Sequence, residues 1–188
     1  MERLPYRATP QAAAYDGFTH LPVSVLLENV RSMYNVGSFF RTADAASIEC
    51  LYLAGITAYP PKKQLSKTAL GAEDTVRWNY SRNGLDFVED LRARGHEIAA
   101  IETSAQSIDL FDWQPRFPVC VMFGHEVDGL SPEALAMADT HIRIPMLGTK
   151  HSLNVATAGG IVMFELLRKY RALRNANPAA TFPSSGNA

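Results

Sequence analysis

Short apolar runs alternate with helical periodicity along most of this chain, and that alternation limits its fold more than any other feature. "VSVLLE" (23–28) reads as a buried strand, and "VGSFFRTADAA" (36–46) places Val36, Phe39, Phe40, Ala43 and Ala46 at helical spacing. "ECLYLAG", "EIAAIET", "FPVCVMFG" and "HIRIPM" are further strands. "NGLDFVEDLRARG" is a helix stopped by Gly95; "SPEALAMA" is a short one with Ser131 as N-cap and Pro132 at its first position; residues 153–173 form the last. Near-continuous apolar strands between helices imply an α/β fold, a parallel sheet with helices on both faces. Ligands of such sheets sit beyond the carboxyl ends of the strands. The loops after Glu28, Ile101, Phe123 and Ile144 are therefore the places to look for a site.

A chain of 188 residues, 47% hydrophobic and 20% charged, is one globular domain with a sizeable core. Its net charge of -1 does not announce a nucleic-acid partner, so any such site is a local basic patch. Cys50 and Cys120 lie in apolar runs without metal-ligand spacing, and read as reduced thiols of a cytoplasmic protein with no metal. "MERLPYRATP" has no signal-peptide character, and no apolar run approaches the roughly 20 residues of a membrane span. Residues 1–21 read as an arm or short helix with no extra RNA-binding domain, 22–173 as the folded domain, and 174–188 as a disordered tail. The G-x-G-x-x-G, P-loop, H-E-x-x-H and G-x-S-x-G fingerprints are all missing, which disfavours dinucleotide, P-loop, zinc-protease and serine-hydrolase chemistry.

Three polar loops stand out instead. In "ENVRSMYNVGSFFRTADA", Asn35 precedes a helix and suits its N-cap. Arg41 lies about 140° around that helix from Val36, off the apolar stripe. It is either a solvated surface arginine or a guanidinium facing an anion across the crevice. In "VMFGHEVDGLS", Gly124 allows close backbone approach and Glu126 is either a solvated turn residue or an acceptor for neighbouring loops; His125 and Asp128 read as surface residues. In "HIRIPMLGTKHSLNVATAGG", Ser152 suits the N-cap, Asn154 falls inside the first turn, and Gly159-Gly160 implies close approach of another backbone. Lys150 and His151 read as solvent-exposed.

Taken in order, these loops resemble the three motifs of the SpoU (TrmH-like) branch of the SPOUT RNA methyltransferases, over roughly residues 22 to 172. The resemblance implies S-adenosylmethionine-dependent methylation of a ribose 2′-hydroxyl in RNA. It also implies a C-terminal trefoil knot and a homodimer whose subunits share the active site. It assigns the cofactor pocket to Ile101, Glu102, Thr103, Gly124, Ile144, Met146, Ser152 and Leu153, and the transfer site to Asn35, Arg41, Glu126 and Asn154. Ala156 departs from the serine that many relatives carry there. Periodicity alone predicts an unknotted doubly wound sheet, because chains rarely knot.

A sulfonium donor needs no metal. Arginine stays protonated in proteins, so Arg41 reads as a phosphate ligand and stabiliser of the developing 2′-oxyanion. RNA would approach a patch of Lys62, Lys63 and Lys67 in "YPPKKQLSKTAL", joined by Arg31 and Arg41, with Arg77 and Arg82 as further candidates; three solvated lysines are the simpler alternative. Arg168, Lys169, Arg171 and Arg174 are explained by the dipole of the last helix. Compact relatives favour tRNA over ribosomal RNA as substrate; a non-catalytic RNA-binding relative is the competing class.

Overall fold

The computed structural model describes residues 20–176. Its strands are β1 (Leu21–Glu28), β2 (Ile48–Ala54), β3 (Trp78–Ser81), β4 (Glu97–Ile101), β5 (Ile108–Asp109), β6 (Val119–Phe123) and β7 (Thr140–Arg143). They form one seven-stranded sheet in the order β3-β2-β1-β6-β4-β7-β5. Every pairing is parallel, so all carboxyl ends meet at one rim. The α-helices among the described residues are α1 (Met33–Ala46), α2 (Lys63–Ala69), α3 (Leu85–Ala93), α4 (Pro132–Ala136) and α5 (Val155–Ala176).

β1 is buried along its whole length, which is why it reads as an unbroken apolar run and not as an alternating one. Its residues still alternate between two cores. Leu21, Val23, Val25 and Leu27 pack with Phe39 and Phe40 of α1, Leu65 of α2 and Val162, Met163 and Leu166 of α5. Leu26 faces the other way, into a cluster with Cys50, Cys120, Val88 and Leu91 of α3, and Ala134 of α4. Both cysteines are free and buried, and desolvation pushes the Cys120 thiol up to about 12.

Few polar side chains enter this interior; His96 Nε2 has no hydrogen-bond partner among the described residues, but two of the charged ones have explicit partner sets. The buried Glu28 carboxylate accepts from Ser131 N–H and Ser131 Oγ–H, both at 2.8 Å, tying the end of β1 to the start of α4. Ser131 caps α4 by accepting from Ala134 N–H, with Pro132 next, as the sequence predicts. Lys169 is also buried: its Nζ donates to the carbonyls of Phe111 and Trp113. Its role is therefore to hold that loop, and Arg168 is paired with Glu165 at 2.7 Å; the dipole explanation for these two residues is replaced by specific contacts.

The helix boundaries also correct the sequence reading. α1 begins at Met33, and its cap is Ser32, whose Oγ accepts from Asn35 N–H at 3.3 Å. Asn35 sits in the first turn, which frees its side chain. α5 begins at Val155, so Asn154, not Ser152, is the residue that caps it: its Oδ1 accepts from Ala156 and Thr157 N–H at 3.0 and 3.3 Å. α5 also runs on to Ala176, past 173. α2, β3 and β5 were not anticipated. Residues 1–19 and 177–188, which hold most of the predicted arm and tail, lie outside the described residues.

Candidate active site

Three neighbouring strands, β6, β4 and β7, end at a cavity of about 430 Å³. Phe123, Ile101 and Ile142 supply its apolar floor, and the segment leading into α5 folds over it with Ile144, Met146, Ser152 and Leu153. Glu102, Thr103 and Gly124 complete the set that the sequence assigns to a cofactor; the structure brings all of these residues to one cavity. Glu126 and Asn154 also line it. Asn35 and Arg41 do not, although Asn35 touches residues that do. His125 and His151, which the sequence reads as surface residues, also line it, as does Arg143, which the sequence does not single out. His151 is solvent-exposed, as the sequence reads it, and still borders the cavity, because the loop before α5 turns back over the strand ends.

A directed chain of hydrogen bonds runs along the mouth of the cavity. Glu126 accepts from the backbone N–H groups of Arg31 and Ser32, both at 3.0 Å, and from Asn35 Nδ2 at 2.9 Å. Asn35 Oδ1 accepts from Asn154 Nδ2 at 3.1 Å. Asn154 Oδ1 then accepts from the first N–H groups of α5. The carboxylate at one end and the helix amides at the other fix the orientation of both asparagine amides. Partial burial pushes the Glu126 carboxyl up, but its hydrogen bonds from Arg31, Ser32 and Asn35 outweigh this and hold it below the usual value.

Gly124 is required for a different reason from the one its sequence context suggests. A Cβ there would lie 2.1 Å from the backbone carbon of Gly129, because residues 125–129 fold back in a tight turn closed by a His125–Gly129 bridge. The missing side chain makes room for the protein's own chain. Gly159 in α5 instead faces a side chain and not the backbone its sequence context suggests: a Cβ there would lie 2.3 Å from the Phe39 ring, while Gly160 faces open space.

The basic residues sit outside the cavity. Arg41 is exposed on α1 and has no hydrogen-bond or ion-pair partner among the described residues. Arg31 is exposed and contributes its backbone to Glu126. Lys62, Lys63 and Lys67 are exposed at the start and along the outer side of α2. That helix packs on α1, where Thr68 Oγ1 donates to the carbonyl of Tyr34 at 3.3 Å. Arg77 lies at the opposite, amino end of β3, away from the rim, whereas Arg82 follows its carboxyl end.

A strand-end cavity in a parallel sheet, bordered by a fixed polar chain, defines an α/β protein with its cavity where such folds place small-molecule ligands. The chain belongs to the SpoU rRNA Methylase family, whose profile matches residues 22–164. It is 35% identical to the tRNA (guanosine(18)-2'-O)-methyltransferase of Thermus thermophilus over 78% of this chain and 75% of that one. It is 31% identical to the enzyme of the same name from Escherichia coli, over 78% of this chain and 63% of the relative. An AdoMet-bound rRNA methyltransferase from Sinorhizobium meliloti has a similar structure, with a TM-score of 0.73 and 33% identity over 78% of this chain and 56% of that one. The chain thus spans less than two thirds of the length of two of these three relatives.

Proposed function

We propose that this chain is an S-adenosylmethionine-dependent methyltransferase acting on a ribose 2′-hydroxyl of RNA, with tRNA favoured over ribosomal RNA. We extend the proposal to a cytoplasmic homodimer and a C-terminal trefoil knot. The observation that carries the reading is the meeting of the cavity and the Glu126–Asn35–Asn154 chain at one rim. About 430 Å³ falls within the range of small-molecule sites. Strand-end peptide groups and the side chains of Ile101, Ile144 and Leu153 suit a flat nucleoside, and Glu102 and Glu126 bring negative charge suited to a cation. When bound, S-adenosylmethionine supplies a methyl group already activated as a sulfonium.

The chain's own residues then have separable tasks. Glu126 and Asn35 hold the loop at 31–35 against the cavity mouth. Asn154 ties that loop to the start of α5. Arg41 stays cationic, binds an RNA phosphate and stabilises negative charge developing on the 2′-oxygen. It lies outside its own chain's cavity, which is consistent with a subunit lending its Arg41 to the partner's site. Ala156 does not weaken this reading, since the relay uses only its backbone N–H.

Calorimetry with S-adenosylmethionine and methyl-transfer assays on bulk tRNA and ribosomal RNA test the proposal. Wild-type protein should bind the cofactor and label RNA ribose, and Arg41→Ala should abolish labelling with cofactor affinity changed by less than about twofold. No binding heat from a folded dimer would favour a non-catalytic RNA-binding relative. An equal collapse of cofactor binding in Arg41→Ala would make Arg41 structural.

A further inference from the structure

Beyond the cavity, the edge of the sheet carries an aromatic ladder that the transfer reaction leaves unused. Trp78 and Tyr80 alternate to the same side of the edge strand β3. The loop after β2 folds back over them, so that Tyr59 packs on Tyr80 at 4.2 Å between ring centroids and lies nearly parallel to Trp78 at 6.2 Å. Tyr80 is fixed by donating its hydroxyl to the carbonyl of Gly55 at 2.9 Å. Tyr59 itself is 39% exposed. Lys62 Nζ lies over the Tyr59 ring, 5.8 Å from its centroid. Residues 55–70 contain three lysines and no carboxylate.

This ladder is joined to the candidate active site by direct contacts. Thr57, two residues before Tyr59, accepts from Val30 N–H through Oγ1 at 2.9 Å and donates to the carbonyl of Leu27. Ile56 N–H donates to Asn29 Oδ1. The next residues, Arg31 and Ser32, donate to Glu126. The ladder is therefore a fixed extension of the site's own loop.

We infer that Tyr59, backed by Tyr80 and Trp78, is a stacking platform for an unpaired base of the RNA substrate, with Lys62 taking a phosphate beside it. The inference rests on the RNA-methyltransferase reading and narrows its substrate class to single-stranded or looped RNA. An unpaired nucleotide offers a π face and a phosphate; the exposed Lys62 side chain can swing off the ring so that the base takes the ring and the ammonium takes the phosphate. A duplex keeps its base faces inside the stack and has nothing to place on Tyr59. A protein ligand would need an aromatic or apolar group flanked by carboxylates.

The test compares binding of a short labelled oligoadenylate with that of a fully paired duplex of the same length, as a function of salt. Wild type should bind the single strand with quenching of tryptophan fluorescence. Tyr59→Ala should weaken it about 5- to 100-fold with no change in salt slope, while Tyr59→Phe should retain it. Lys62→Ala should reduce the slope by about one. Duplex affinity should be the same for wild type and Tyr59→Ala. Thermal melts, with Tyr59→Leu as a packing-preserving variant that lacks the π face, show whether the fold survives. If wild type shows no preference for the single strand, or Tyr59→Leu binds it as wild type does, the platform is refuted. Methyl transfer with normal Tyr59 variants would overturn the platform alone; Tyr59-dependent binding without methylation of any RNA would overturn the enzymatic reading alone.

Discussion

Asn154 holds two positions at once: it caps α5 with its oxygen and reaches Asn35 with its nitrogen. A sequence reader chooses between Ser152 and Asn154 as cap on propensity, and the two lie within the usual error of a helix boundary. What decides is the tertiary partner, which no local pattern contains. Glu126 was legible as a carboxylate in a loop, but its three donors come from residues far away in sequence. All of them need an acceptor, so Glu126→Gln should place an amide N–H₂ against a donor and, at this exposed site, cost about 0.5–1.5 kcal/mol in local stability. Methyl-transfer rate should fall with it. The Glu126 carboxyl is held below its usual value when folded, so its contribution is present above the unfolded value near 4.5 and is lost as pH falls through the folded one. Urea midpoints of wild type and Glu126→Gln should therefore converge on acidification; a constant gap would mean that the charge is irrelevant.

At the scale of elements, the parallel sheet and its principal strands were legible because a strand covered on both faces must be apolar on both. The strand order was not, since nothing local says that β6 follows β1. α2 was missed because seven residues after a Pro-Pro pair give too little periodicity, and β5 because two residues give none. The paired glycines of α5 were read as one feature, yet they differ. Gly159→Ala would drive a Cβ into the Phe39 ring and should cost about 1–3 kcal/mol despite the better helix propensity of alanine. Gly160→Ala faces open space and should stabilise by up to about 1 kcal/mol. Denaturation curves separate the two. A loss in place of a gain at Gly160 would put a partner chain against it.

For the molecule as a whole, α1 and α5 cover the same side of the sheet and leave Tyr34 54% and Phe164 49% exposed. Large apolar residues this open beside a proposed shared site fit a subunit contact. Sedimentation should give twice the chain mass, and Phe164→Glu should shift it toward monomer and lower methyl transfer while the isolated chain still binds cofactor. A wild-type monomer with full activity would remove the shared site.

The relay at the cavity mouth has a consequence in time. Glu126 and Asn35 are 91 residues apart, and Asn154 and Asn35 are 119 apart. A chain emerging from the ribosome can complete β1, α1 and most of the sheet while the relay still lacks its last member. The mouth closes only after residue 154 has been made and α5 has somewhere to begin. Under the proposed function, a chain stopped before residue 154 would therefore lack both the last member of the relay and the cavity wall that Asn154, Val155 and Ala158 supply.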